Sequence, residues 1–298
     1  MTQELTLNAI KTVGFIGTGN MGSPMVRQLQ AAGYSLLIYD ADREKCAALA
    51  TEPNIDVADD PGQIGSQADV VITMLPTSKI VGDVILGENG VASGLRPNSI
   101  VIDMSTSLPE DTIKLGEALA KRNVHVVDAP VAGGVVFAVD GSLDILVGGH
   151  EEVAAHIDPL LQAMGKQTTY CGKLGTAHAM KSINNTVNAA VLCIYLEALE
   201  LGKKVGIDQD TVLSSLEAAT LDRNHPFDKK IKKQILTEKF GTGMAMGLIA
   251  KDIQIAISTA DHVDQNVPVS RLVGDIWKEG ADKFGFNLDQ TEIYKYWR

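Results

Sequence analysis

The stretch Thr12-Val-Gly-Phe-Ile-Gly17-Thr18-Gly19-Asn20-Met21-Gly22 decides the fold of this 298-residue chain. Its apolar run, Thr12–Gly17, reads as a buried strand, and the Ser23–Ala32 segment behind it reads as a helix. Between them stands GxGxxG. A second apolar run, Ser35–Tyr39, follows and ends at Asp40, 18 residues after Gly22. Strand, glycine turn, helix, strand and acid at this separation make the framework of a dinucleotide site. Gly17 permits the tight turn, Gly19 lets the backbone approach a pyrophosphate, and Gly22 allows helix and strand to pack closely. The helix N-terminus offers unsatisfied N–H groups and partial positive charge to the phosphates. Asp40 can accept hydrogen bonds from ribose hydroxyls and repels a 2′-phosphate, which favours NAD over NADP. Arg43 lies close enough to soften that preference. The competing reading of the glycines is a turn without a ligand, and that of Asp40 is a helix cap.

Working outward, further apolar runs at Val70–Leu75, Ser99–Met104, His125–Asp128 and Leu143–Val147 read as strands. Several are continuously apolar, as strands buried on both faces must be. Helix-like segments such as Arg43–Ala50 and Pro109–Arg122 alternate with them. The alternation predicts right-handed crossovers and an α/β, Rossmann-type doubly wound parallel sheet. After Gly172 the pattern changes. A proline-free stretch from about Thr176 to Val205 is rich in helix formers. Helical stretches follow near Asp208–Ala219, His225–Phe240, Leu248–His262 and Pro268–Phe284, the last opened by a proline suited to a first helical turn. We therefore expect a cofactor domain over 1–173 and an all-α domain over 174–298, joined by the long helix.

Composition narrows the function. The chain has 26 Lys and Arg against 37 Asp and Glu, a formal charge of −11. Of these, 11 basic and 21 acidic residues fall before residue 174. Such a balance argues against binding nucleic acid or an anionic membrane surface. No apolar run reaches membrane-spanning length. The N-terminal MTQELTLNAI lacks the features of a secretion signal or transit peptide. Cys46, Cys171 and Cys193 are scattered, and no His or Cys spacing suggests a metal site. A reducing, cytoplasmic setting is expected. The run Lys229, Lys230, Lys232, Lys233 reads as a solvated face, with Ile231 and Ile235 on the apolar side.

Three more segments carry chemistry. Asp128-Ala-Pro-Val-Ala132-Gly133-Gly134 leaves a strand, where paired glycines can turn N–H groups toward an anion such as a carboxylate; a plain turn is the equal alternative. Lys181-Ser-Ile-Asn184-Asn185 lies in the long helix, its two amides on the lysine's face. Polar groups there are costly to bury without a purpose, although a satisfied polar cluster would also explain them. Lys251-Asp252 opens an apolar helical run and, taken singly, reads as a surface pair.

Together, GFIGTGNMGSPM, DAPVAGG, GTAHAMKSINN and KDIQIA resemble, in order, the motifs of the β-hydroxyacid dehydrogenase family, which contains the 3-hydroxyisobutyrate dehydrogenases and tartronate semialdehyde reductases. The resemblance runs from Val13 to about Phe284. It implies an oxidoreductase acting on the hydroxyl of a 3-hydroxy acid, with NAD as hydride acceptor. Lys181 would be the catalytic lysine, Asn185 with Asn184 would hold substrate, and the Gly133 backbone would bind its carboxylate beside Ala132 and Gly134. Lys251 would line the cleft near the cofactor. Leu75 and Pro76, after Met74, and Ser105 with Thr106 would contact ribose and nicotinamide. A homodimer or homotetramer built through the helical domain is also implied.

Two positions depart from the pattern. Ala132 stands where relatives usually carry Ser, which leaves backbone N–H groups to hold the carboxylate. His178, where Gln is usual, shares the Lys181 face; it could touch substrate or cofactor, or tune the lysine, or simply be a satisfied helix histidine. The apolar run Val135, Val136, Phe137 allows a bulkier substrate, or a Phe137 that packs in the core. The competing functions are imine reduction, whose enzymes generally lack this lysine, the phosphosugar oxidation of longer relatives, and a non-catalytic NAD-binding sensor or scaffold.

Overall fold

The computed structural model describes residues 7, 9–204, 206–219, 227–264 and 266–298. They divide into two compact units, one ending at Lys181 and the other beginning at Ser182. The first unit carries strands β1 (Thr12–Ile16), β2 (Ser35–Tyr39), β3 (Ile55–Val57), β4 (Val70–Thr73), β5 (Ile100–Asp103), β6 (His125–Asp128), β7 (Val131–Ala132), β8 (Leu143–Gly148) and β9 (Gly165–Gly172). Its helices are α1 (Gly22–Ala31), α2 (Arg43–Ala47), α3 (Pro61–Gln67), α4 (Ser78–Leu86), α5 (Val91–Gly94), α6 (Pro109–Ala120), α7 (Val135–Val139) and α8 (Glu151–Gln162). The long helix α9 (Thr176–Lys204) begins here and continues past the division.

The sheet runs β3-β2-β1-β4-β5-β6-β8-β7, with β9 also on β8. Pairing is parallel from β3 to β6, and β8 runs antiparallel to β6 and β7. The order reverses between β1 and β4, so a crevice opens at the carboxyl ends of these strands. Strand periodicity divides the core between the faces. Val13, Phe15, Ile72 and Ile102 join the cluster containing α1 and α8, while Ile16, Val71 and Val101 join the one beneath α3, α4 and α6. The expected doubly wound fold is thus the observed one.

Several elements carry no clear sequence signal. β3 is three residues long, and α8 contains Pro159. β9, GKQTTYCG, is largely polar, and half of its residues are exposed. It forms because β8 offers a parallel edge, not because its residues alternate.

In the second unit α9 continues, followed by α10 (Gln209–Ala219), a π-type helix over Phe227–Ile235, α11 (Met246–His262), α12 (Pro268–Phe284) and a 3-10 segment over Gln290–Trp297. Leu192, Leu196, Leu213, Ile231, Ile253 and Trp277 form its core. The helix expected over His225–Phe240 needs correction. Residues 225 and 226, like Val205 at the expected end of the long helix, lie outside the described residues. The π-type helix is shorter than the expected one and wider in its turn. Leu236 N–H bonds Ile231 O at 3.0 Å, five residues back, and Glu238 adopts φ 52°, which ends the helix. The wide turn buries Ile231 and Ile235 and leaves Lys232 and Lys233 exposed, but Lys230 is half-buried and donates to Gln290 Oε1 at 2.8 Å, so the run is only in part the solvated face expected; the Lys229 side chain lies outside what the structure describes. Among the described residues no helix is long and apolar enough to cross a membrane.

Candidate active site

The glycine loop lies at the switch point. Gly17 has φ 101°, and a Cβ there would overlap the Met74 carbonyl on the neighbouring strand exit. A Cβ on Gly22 would overlap the Gly17 carbonyl. These two glycines are required by the protein's own packing. Gly19 differs: its φ is not in the left-handed region, and a Cβ there would meet no atom within 4 Å. The space it leaves is open. Met21, at the N-cap of α1, makes no side-chain capping bond, so the first N–H groups of α1 gain nothing from that side chain. Thr18 is buried and Asn20 exposed. An open cradle over a helix N-terminus suits a pyrophosphate.

Asp40 shapes the next wall. Its Oδ2 accepts from Thr18 N–H and its Oδ1 from Asp42 N–H, both at 2.9 Å. Lys45 Nζ stands 3.9 Å away. The carboxylate therefore stiffens the glycine loop, and 13% of its side chain remains exposed. Arg43 does not reach toward it in these contacts. Its guanidinium donates to Ala58 O at 2.6 Å and to Asp59 O, and lies 5.1 Å over the Tyr39 ring.

The ends of β4 and β5 are tied together. Leu75 N–H donates to Ser105 Oγ at 2.9 Å. Asp103 accepts from Thr73 Oγ1 at 2.9 Å, Ser105 N–H at 3.0 Å and Ser107 Oγ at 2.7 Å. Leu75 and Thr106 are half-buried, Pro76 is exposed and Ser105 is buried. Asp128 is register partner to Asp103 on β6. It accepts from Gly175 N–H and His178 N–H, both at 2.8 Å. Gly175, just before the first residue of α9, has no side chain to cap the helix. Asp128 caps it from another strand and meets the positive end of its dipole. Both carboxylates are buried, and charge-assisted bonds of this kind offset part of the desolvation cost.

This cap places the catalytic-lysine candidate. Asp103 and Asp128 end parallel strands, so they lie on the same edge of the sheet as the Gly17 loop. Asp128 holds the first turn of α9 to that edge, and Lys181, half-buried, is one turn along. His178 is fully buried between the acids and is no exposed ligand contact. After β7, half-buried Ala132 is followed by exposed Gly133 and Gly134, with φ 127° and 81°. Phe137 is half-buried, packs on the core, and lies against Gly133.

In the second unit, the Asn185 amide donates to Asp252 Oδ2 at 2.8 Å, and Lys251 Nζ lies 3.3 Å from Asp252 Oδ1. Asp252 is buried, so the pair is not the surface pair that its sequence suggests. Its carboxylate orients the Asn185 amide. Asn184 is half-buried, and its backbone and side-chain oxygens accept from Asn188. Sequence reading missed the structural work of Thr73, Asp103, Ser107, Thr112 and Asp252. The one available signal was an acid closing each of two apolar strands, Asp103 and Asp128, as Asp40 closes the second.

Similarity to known proteins agrees with this fold. Residues 12–172 match the family described as the NAD binding domain of 6-phosphogluconate dehydrogenase, and residues 175–297 match the NAD-binding domain of NADP-dependent 3-hydroxyisobutyrate dehydrogenase. A probable mitochondrial 3-hydroxyisobutyrate dehydrogenase of Arabidopsis thaliana is 33% identical over 97% of this chain and 88% of its own. The 2-(hydroxymethyl)glutarate dehydrogenase of Eubacterium barkeri is 30% identical over 96% of this chain and 94% of its own. The Mycobacterium tuberculosis 3-hydroxyisobutyrate dehydrogenase, solved with L-serine, superposes with TM-score 0.87 at 27% identity, over 97% of this chain and 100% of that one. With an NAD(P)-binding domain followed by a helical one, and relatives named as dehydrogenases along nearly its whole length, this chain belongs to the β-hydroxyacid dehydrogenase family of oxidoreductases.

Proposed function

We propose that this protein is an NAD-preferring dehydrogenase of acids of the form HO–CH2–CH(R)–COO−, with Lys181 as its proton-transfer residue. The observation that carries the reading is the Asp128 cap, which holds the Lys181 turn to the sheet edge where the glycine loop opens. The compounds named with three relatives, 3-hydroxyisobutyrate, 2-(hydroxymethyl)glutarate and L-serine, share a primary alcohol β to a carboxylate. We assign cofactor binding to 1–173, and substrate contacts and self-association to the helical 174–298.

A bound nicotinamide ring supplies the hydride acceptor. Oxidation breaks the carbinol C–H bond, its electron pair leaving with the hydride, while the hydroxyl proton passes to the Lys181 amine; the products are a semialdehyde, the reduced cofactor and a proton. In reverse, Lys181 Nζ donates to the carbonyl oxygen. The backbone N–H groups at Gly133 and Gly134 receive the carboxylate, a larger share of that task than where Ser replaces Ala132. Asn185, oriented by Asp252, holds the substrate, and Asn184 and Lys251 line the site. Gly17–Gly22 hold the pyrophosphate, Asp40 the ribose, and Leu75, Pro76, Ser105 and Thr106 the nicotinamide side. Exposed Ile183, Val187 and Ile194 on α9 support a homodimer or homotetramer, which light scattering would show as a multiple of 31.8 kDa.

The test is a spectrophotometric panel of these three acids, a branched aromatic 3-hydroxy acid and a cyclic imine, each with NAD(H) and NADP(H). We expect NAD+-linked oxidation of at least one primary-alcohol acid. Lys181→Ala should lower kcat by about a thousandfold while NAD+ binding holds. Asp40→Ser should narrow the gap between the cofactors. Wild-type turnover in Lys181→Ala, or imine reduction alone, would overturn the reading.

A further inference from the structure

The His178 ring occupies a position that neither cofactor binding nor the Asp128 cap explains. It is fully buried, on the first turn of α9, between two buried carboxylates. Nε2 lies 3.7 Å from Asp103 Oδ2, and Nδ1 lies 3.9 Å from Asp128 Oδ2. Nδ1 is 2.9 Å from Thr112 Oγ1, which itself stands 3.1 Å from Leu108 O. The Thr112 hydroxyl thus meets both the ring Nδ1 and the Leu108 carbonyl, and ties the ring to the start of α6. Among the described residues Nε2 has no hydrogen-bond partner, although it is buried. At 3.7 Å from Asp103 Oδ2 it is beyond hydrogen-bond length but lies directly beside that carboxylate.

Asp103 is also the anchor of the nicotinamide-side turn, through Ser105 N–H and, beyond it, the Ser105 Oγ bond to Leu75 N–H. One ring thus stands between the turn that faces the hydride acceptor and the helical turn before Lys181. We propose that His178 is a positioning residue, which sets Lys181 in register with the Ser105 turn through Asp103 and Thr112. This rests on the assignment of proton transfer to Lys181. Asp128 grips the backbone of α9 by two N–H groups. His178 adds a side-chain contact on the Lys181 face, and so fixes the rotation of that face about the helix axis. A lysine amine misplaced by an ångström loses much of its rate while the ground-state complex is little changed.

The variants His178→Gln and Thr112→Val test this. Gln is close in size and carries its donor and acceptor at one end, so it cannot reach Thr112 and Asp103 together. Val keeps the shape of Thr and removes the hydroxyl that meets both Nδ1 and the Leu108 carbonyl. Each variant is assayed with NAD+ and the fastest acid of the panel, beside Lys181→Ala. For His178→Gln we expect kcat to fall about tenfold or more, with substrate KM and NAD+ Kd within about threefold of wild type, and the isotope effect on kcat with the carbinol-deuterated acid to rise. Thr112→Val should fall less, and the double variant should fall less than the product of the two, as coupled residues do. A variant with lower thermal stability but wild-type kcat and isotope effect overturns the proposal, as does a kcat loss matched by an equal loss of NAD+ binding. If Lys181→Ala is inert while His178→Gln is normal, only the His178 role falls. If Lys181→Ala turns over normally, or no acid of the panel is oxidised, the underlying assignment falls and takes this one with it.

Discussion

The glycine loop after β1 and the glycine pair after β7 look alike in sequence, and they differ in what demands the glycines. After β1, Gly17 and Gly22 are fixed by neighbouring backbone, while Gly19 faces open space with ordinary φ. After β7, Gly133 and Gly134 both hold left-handed φ, and Gly133 also lies against Phe137. The fold alone accounts for the second pair. Neither backbone conformation nor packing accounts for Gly19.

That contrast can be broken by four substitutions. Gly22→Ala should cost most, about 3 kcal/mol or more of folding stability, because its Cβ meets rigid backbone; a urea midpoint equal to wild type would contradict it. Gly133→Ala should cost about 2 kcal/mol from its φ and the Phe137 contact, and less in a Phe137→Ala background, which a double-mutant cycle by chemical denaturation would read. Gly19→Val should leave the thermal midpoint within about 2 °C yet raise the NAD+ Kd about tenfold, measured by fluorescence titration. A Gly19→Val protein that binds normally would remove the pyrophosphate from this loop. Gly134→Ala should be mildest, about 1 kcal/mol from backbone strain, since a Cβ there meets nothing within 4 Å. Any rise in KM for the acid, with NAD+ binding unchanged, would place the carboxylate at these N–H groups.

The helical unit adds a second contrast. Asp103 and Asp128 are satisfied mostly by backbone N–H groups and short hydroxyls. Asp252 depends on one amide and one lysine, both on longer side chains. The first arrangement is stiff, and the second can adjust with its side chains.

By itself, the sequence determined the doubly wound sheet, the helical second half and the glycine loop, and its resemblance to a family pointed to the candidate lysine. Continuous apolar runs, helix periodicity and glycine spacing are local properties, readable within one segment. Only the tertiary structure decided that β9 is a strand, because a neighbour's free edge makes it one. It alone decided that Lys251 and Asp252 are half-buried and buried, and that the lysines at 232 and 233 lie within a π-type helix. It also gave Asp128 its work. An acid at a strand end reads as a turn residue until the fold brings it to the uncapped start of a helix 47 residues on, where burial makes its two N–H donors indispensable.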